Sequence, residues 1–170
     1  MNYFFLDASA LVKRYHQEPG SDVVNRLLDE LLASSPERVA ISPLGLAETV
    51  SVLNRRKNEG RIPHQLFQLI VARLLLEARA VAVQSVDDDL IMESIPFIMR
   101  HNINSADALY LHQALSLQYL LRPMEHDLVL VASDRRFLRA AEAEGLAVIN
   151  PETADMAEAV TFLSVGEESD

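Results

Sequence analysis

A chain of 170 residues, of which 49% are hydrophobic, is the right size for one domain with a single core. The chain has no cysteine, which excludes disulfides, thiolate zinc sites and a cysteine nucleophile, and which fits a reducing cytoplasm. Its formal net charge of −10 argues against nucleic-acid binding, unless bound cations or a basic protein partner offset the acids.

Strands and helices alternate along the predicted secondary structure. Short apolar runs predict strands at residues 3–6, 39–41, 80–83, 128–132 and 146–149. Apolar residues at helical spacing predict helices at residues 8–16, 21–33, 44–59, 63–78, 87–101, 105–120 and 135–144. This alternation favours a three-layer α/β/α fold around a mainly parallel sheet.

We assign residues 1–151 to this domain and residues 152–170 to a C-terminal extension, which we expect to be partly disordered. Residues 166–170 read as a frayed acidic tail. The apolar run at the N-terminus is too short for a signal peptide, and no apolar stretch reaches the roughly 20 residues that span a bilayer. We therefore expect a cytoplasmic protein without membrane association.

Two acids follow predicted strands, at the edge where open α/β sheets bind their ligands. Asp7 comes directly after the first strand, and Asp134 follows the fourth. Each could simply cap the next helix, because aspartate is a favoured N-cap residue. A parallel sheet could however place both strands side by side, and a shared site then becomes the better interpretation.

Two further acids lie on helix faces that are otherwise apolar. Glu48 has Leu44 and Val52 one turn to either side, and Asp107 has Leu111 one turn further on. A ragged apolar stripe and the helix dipole are the alternative explanations. An inward carboxylate is costly unless a cation or donors satisfy it, and Mg²⁺ or Mn²⁺ would relieve the repulsion among four such acids.

Ser9 and Ser133 flank the two strand-end acids, where each hydroxyl could bond a carboxylate or a metal-bound water, or serve as an ordinary cap. The basic residues form three groups, Lys13-Arg14, Arg55-Arg56-Lys57 with Arg61, and Arg135-Arg136 with Arg139. Such groups are usually solvated helix faces, although Arg135 and Arg136 could hold phosphates near the metal. The five histidines show no ligand spacing, and motifs of zinc proteases, P-loop NTPases and α/β-hydrolases are absent.

Four segments of the chain resemble the motifs of PIN domains. They are Phe-Leu-Asp-Ala-Ser-Ala-Leu-Val-Lys-Arg-Tyr with Asp7, Leu-Ala-Glu-Thr-Val-Ser-Val-Leu with Glu48, Ser-Ala-Asp-Ala-Leu-Tyr-Leu-His-Gln-Ala-Leu with Asp107, and Leu-Val-Ala-Ser-Asp-Arg-Arg-Phe with Asp134. Residues 144–151 resemble the closing strand of the family. Each motif alone is weak, but their order and spacing over residues 1–151 are fairly specific.

The resemblance implies Mg²⁺ or Mn²⁺ bound by Asp7, Glu48, Asp107 and Asp134, and an endoribonuclease that leaves a 5′-phosphate and a 3′-hydroxyl. It is strongest toward the toxins of VapBC toxin–antitoxin pairs, which usually form homodimers and whose acidic site is covered by a segment of a small antitoxin. The RNA would then contact the basic residues nearest the acids, which are Lys13, Arg14, Arg135 and Arg136.

One departure from the family is the segment 119–127, which is longer than the usual link and could change substrate access or the dimer surface. Other enzyme classes fit less well. A haloacid-dehalogenase-type enzyme needs a second aspartate where Ser9 stands, and a receiver domain needs a late lysine, whereas the only lysines are Lys13 and Lys57. A non-catalytic RNA- or protein-binding module with the same fold remains the alternative, although loss of some acids would then be expected.

Overall fold

A computed structural model of the chain describes residues 1–164. Within them, five strands form one sheet in the order β3-β2-β1-β4-β5, and every pairing is parallel. The strands are β1 (Asn2–Leu6), β2 (Val39–Ile41), β3 (Ala82–Val83), β4 (Asp127–Val131) and β5 (Ala147–Ile149). The predicted α/β/α fold with a parallel central sheet is confirmed.

Helices connect the strands and cover both faces of the sheet. They are α1 (Ala8–Tyr15), α2 (Ser21–Ser34), α3 (Pro43–Asn58), α4 (His64–Ala78), α5 (Asp88–His101), α6 (Ser105–Leu121), α7 (Arg135–Ala143) and α8 (Met156–Ser164). Among these described residues, no helix is long and apolar enough to cross a membrane.

The central strand β1 is buried on both faces, which explains why it reads as a continuous apolar run. Phe4 and Leu6 face one core, to which α1, α2 and α8 contribute. Phe5 faces the other core, where it packs with Tyr110 of α6 and Phe137 of α7. The buried centre of the sheet thus leads directly into Asp7.

Helix α8 was not predicted from the sequence. Its Ala159 and Leu163 are buried in the core that covers β1, and Asn2 donates a hydrogen bond of 3.0 Å to the carbonyl of Phe162. Part of the C-terminal extension is therefore docked on the domain. The acidic tail predicted at residues 166–170 lies outside the described residues.

The segment 119–127 contains the end of α6, a 3-10 turn at Arg122–Met124 and the first residue of β4. Tyr119, Leu120 and Met124 in this segment are exposed. The turn lies at the amino edge of the sheet, opposite the edge at which the four acidic motifs end. A direct effect of this segment on substrate access to the acidic site is thus disfavoured, whereas an effect on the dimer surface remains a prediction.

Candidate active site

The carboxyl ends of β1 and β4 meet at one edge of the sheet. Leu6 pairs with Val131, and the backbone N–H of Asp7 donates to the carbonyl of Val131 over 3.2 Å. Ser9 joins the two strand ends, because its Oγ accepts a hydrogen bond of 2.8 Å from the backbone N–H of Ser133. The structure thereby brings Asp7 and Asp134 to the same edge.

Asp7 is the most enclosed of the four acids, with 5% of its surface exposed. Its Oδ1 accepts hydrogen bonds from Ser9 Oγ (2.7 Å) and from the backbone N–H of Ala10 (2.8 Å), so that it also caps α1. Burial raises the pKa of Asp7 to about 7, and the charges of Asp107 and Glu48 act in the same direction. These two acids therefore stand close enough to repel it.

Glu48 projects from α3 and is held by a residue that the sequence analysis did not single out. Tyr110 of α6, which is almost fully buried, donates its hydroxyl hydrogen bond to Glu48 Oε2. Burial and this hydrogen bond raise the pKa of Tyr110, so it stays a donor at neutral pH. A signal was present, because Tyr110 comes three residues after Asp107 and shares its helix face.

Asp107 lies in the first turn of α6, which is capped by Asn104. The Asn104 Oδ1 accepts from the backbone N–H of Asp107 (2.9 Å), and its Nδ2 donates to Asp107 Oδ2 (2.8 Å). Burial raises the pKa of Asp107 to about 6, with Asp134 and Glu48 adding to the rise and Arg136 opposing it. The fourth acid is thus within electrostatic reach of Asp107.

Asp134 is exposed and caps α7. Its Oδ1 accepts hydrogen bonds from the backbone N–H groups of Arg136 (2.7 Å) and Phe137 (3.0 Å). The capping interpretation is therefore correct for both strand-end acids. It does not compete with a shared site, because capping occupies one oxygen of Asp134 and leaves the other available.

All four acids line one open cleft of about 550 Å³ at the carboxyl edge of the sheet. Ser9, Ser133 and Tyr110 line the same cleft, and so do Asn104 and Glu152. Three basic side chains lie further along its walls, namely Lys13, Arg55 and Arg56.

The oxygen atoms in this cleft are suitable ligands for a hard divalent cation. Glu48 Oε1, Asp107 Oδ1 and Asp134 Oδ2 accept no hydrogen bond from any residue between 1 and 164. Ser133 Oγ is buried and also lacks a partner within that range. All are oxygen donors of the kind that Mg²⁺ and Mn²⁺ prefer.

The spacing of these oxygen atoms limits how they could coordinate an ion. In the described part of the chain, no three Asp, Glu or His side chains form a ready-made ion site. Water would have to supply part of the coordination shell, as is usual for Mg²⁺.

The neighbouring basic residues Lys13 and Arg14 have different surroundings. Lys13 lines the cleft but is only 3% exposed, and it pairs with Glu152 (2.7 Å) and Glu18 (3.6 Å). Arg14 does not line the cleft, because it is committed to Asp29 (2.6 Å) and Glu77 (3.1 Å). The position of Arg14 gives no support to the predicted RNA contact.

Arg135 and Arg136 also differ in where their side chains lie relative to the acids. Arg136 lies beside the acids, since its charge lowers the pKa of Asp107, and its Nη1 donates to the carbonyl of Asn102 (3.2 Å). Arg135 lines a different hollow, next to Arg139 and β5. Surface ion pairs with Glu142 or Glu144 are the alternative role for these arginines. Within residues 1–164, Arg136 pairs with neither acid, and Glu144 pairs with Arg100 and His101.

The parallel sheet and the carboxylates at its carboxyl edge define an open α/β protein with a polar, acid-lined cleft. The family comparison agrees, and the chain belongs to the PIN domain family, whose model matches residues 4–143. The comparison with curated proteins found no match.

Solved structures show the same fold at low sequence identity. The chain is similar to PAE2754 from Pyrobaculum aerophilum, at 19% identity over 95% of each chain, with a TM-score of 0.62. It is also similar to VapC20 from Mycobacterium tuberculosis, described as a sarcin–ricin loop cleaving toxin, at 24% identity over 87% of this chain and 99% of that one, with a TM-score of 0.58. A third is FitAcB from Neisseria gonorrhoeae, at 18% identity over 89% of this chain and 99% of that one, with a TM-score of 0.58.

Proposed function

We propose that the chain is a metal-dependent endoribonuclease, which hydrolyses RNA phosphodiester bonds with Mg²⁺ or Mn²⁺ held by Asp7, Glu48, Asp107 and Asp134. The observation that carries the proposal is the convergence of these four carboxylates on one cleft, where burial and, to a smaller extent, their mutual repulsion raise the pKa values of Asp7 and Asp107. Membership of a family whose members are generally nucleases supports it.

Neighbouring groups orient each acid. Glu48, Asp107 and Asp134 each keep one oxygen that accepts no hydrogen bond within residues 1–164, whereas both oxygens of Asp7 accept one from Ser9. Ser9 and the start of α1 hold Asp7, Tyr110 holds Glu48, and Asn104 holds Asp107. A divalent ion bound there would lower the pKa of a coordinated water and stabilise charge on the phosphate oxygens. Side chains held this way lose little freedom on binding, which favours catalysis.

We further propose that the protein is the toxin of a VapBC-type toxin–antitoxin pair and acts in the cytoplasm. The description of VapC20 as a cleaving toxin supports the toxin role, and a chain without cysteine fits a reducing cytoplasm. A small antitoxin would cover the cleft with a basic segment, because the acids that line the cleft outnumber its cations.

A homodimer is also part of the proposal. Helices α4 and α5 expose large apolar side chains, including Leu69 (68%), Leu76 (67%), Met92 (64%) and Met99 (76%). A monomer rarely leaves so many apolar side chains in water without a partner. The antitoxin is the competing occupant of this surface.

Metal-dependent cleavage tests the nuclease function directly. With Mn²⁺ and a pool of single-stranded RNA of random sequence, the wild type should cleave, and Asp7→Asn and Asp107→Asn should each abolish cleavage while keeping the fold. Asp127→Asn, an exposed change at the amino edge of the sheet, is the matched control and should cleave as the wild type does.

The outcome separates the nuclease from the non-catalytic binding module. Full activity in Asp7→Asn or Asp107→Asn would show that the proposed site is not the catalytic one. If the wild type binds RNA but never cleaves it with either ion, the binding module becomes the better description.

A further inference from the structure

The cleft continues beyond the acids along one face of α3. Glu48, Ser51, Val52 and Arg55 all line it, at the spacing of residues that share one side of a helix. Arg55 lies two turns beyond Glu48, a rise of about 10 Å along the helix axis. The same cleft thus has an acidic end and, further along α3, a basic end.

The basic end is built on a partly buried ion-pair network. Lys13 is four residues after Ser9 on α1, and it pairs with Glu152 (2.7 Å) and Glu18 (3.6 Å). Arg56 donates to the same Glu18 over 2.6 Å. The side chains of Lys13, Arg56 and Glu18 are 3%, 17% and 20% exposed, so the contacts to Glu18 are largely shielded from water and join the two walls. The side chain of Glu152 is 43% exposed, so its contact with Lys13 is partly open to water.

Arg55 differs from these two cations. It is exposed, and it forms no ion pair or side-chain hydrogen bond with any of residues 1–164. With Lys13 and Arg56 offset by Glu18 and Glu152, one net positive charge remains at this end of the cleft, and it resides on Arg55. Its place in the last turn of α3 favours a cation, but does not explain why that cation lines the cleft.

We propose that Arg55 binds a backbone phosphate of the RNA next to the one held at the acids, and so forms a second phosphate subsite in the cleft. The guanidinium matches a phosphate in charge and in bidentate geometry. The separation along α3 places this contact on a neighbouring nucleotide rather than on the scissile phosphate. This inference rests on the proposed nuclease function, because the acids define the other end of the bound strand.

Binding of the random-sequence RNA pool, measured by fluorescence anisotropy, tests the subsite. The parent carries Asp107→Asn to prevent turnover, and Arg55→Ala is added to it. Loss of one charge-assisted contact should weaken binding about tenfold. The slope of log affinity against log salt should fall by about 0.7, the value for one phosphate contact on a single strand.

Arg122→Ala in the same parent is the matched control. Arg122 is also exposed but lies at the amino edge of the sheet, so its removal changes net charge equally without touching the cleft. Both variants should melt like the parent. A further variant, Glu152→Gln, removes one carboxylate from the basic end and should tighten binding.

The results separate this inference from the nuclease itself. Equal affinities and salt slopes for Arg55→Ala and Arg122→Ala overturn the subsite, as does a parent that does not bind the pool. If the wild type cleaves the pool but Arg55→Ala binds like the control, the nuclease stands and the subsite falls. If Arg55→Ala weakens binding while the wild type never cleaves, the subsite stands and the nuclease falls.

Discussion

Replacing Asp7 by asparagine should stabilise the metal-free protein, and by an amount that depends on pH. Asp7 is 5% exposed, and burial together with two neighbouring carboxylates raises its pKa from 3.8 to about 7. Asparagine keeps the shape and can still accept the hydrogen bond from the backbone N–H of Ala10. It removes the charge that burial and Asp107 penalise.

The sign and size of the effect follow from proton linkage. Between pH 4 and pH 7 the folded protein holds the Asp7 proton more tightly than the unfolded chain does, so the free energy of unfolding falls as the pH rises through this window. Above pH 7 the full cost is present, about 4 kcal/mol for this shift. At pH 5 the cost of burying Asp7 should be roughly 2 kcal/mol.

Urea unfolding of the wild type and of Asp7→Asn, in buffer with EDTA at pH 5 and pH 8, measures both values. The advantage of Asp7→Asn should grow by about 2 kcal/mol from the lower to the higher pH. Asp127→Asn is exposed and should show no such growth. An advantage that is the same at both pH values, or a loss of stability at pH 8, would refute the account of a buried, repelled carboxylate.

Three further predictions concern the metal, the RNA and the backbone. The melting temperature should rise with Mg²⁺ or Mn²⁺, by an amount equivalent to about 2.7 kcal/mol at a hundredfold excess of the ion over Kd. Asp134→Ala should lose this gain. A wild-type melting curve that is unaffected by both ions would contradict the metal site. Arg136→Glu should weaken RNA binding and reduce its salt dependence, and an unchanged salt slope would count against a phosphate contact. Gly20→Ala should lower the free energy of unfolding by about 3 kcal/mol in urea titrations, because φ is +85° and a Cβ would lie 2.5 Å from the Pro151 carbonyl oxygen. Gly145→Ala, with the same φ and open space around it, should cost only about 1 kcal/mol, and equal losses at both sites would disprove the close approach.

Local pattern was sufficient to predict the sheet and the positions of its acids. An apolar run that ends in an acid marks the carboxyl end of a buried strand, as at Asp7, and parallel strands end at one edge. The apolar residues one turn away predict that Glu48 and Asp107 face the protein, since helix geometry alone shows which residues share a face. Helix α8 was not predicted, because a helix of nine residues depends on tertiary packing, here of Ala159 and Leu163.

Neighbouring basic residues show what only the tertiary structure could decide. Lys13 and Arg14 are adjacent in the sequence, yet Lys13 lines the cleft while Arg14 is held by Glu77, 63 residues away. Arg55 lines the cleft, although its basic sequence neighbours predict a solvated helix face at this position. Consecutive side chains on a helix point about 100° apart, so sequence shows which residues share a face but not where that face points. The rotation of each helix is set by how its apolar side packs on the sheet, and that packing depends on residues far away in the chain.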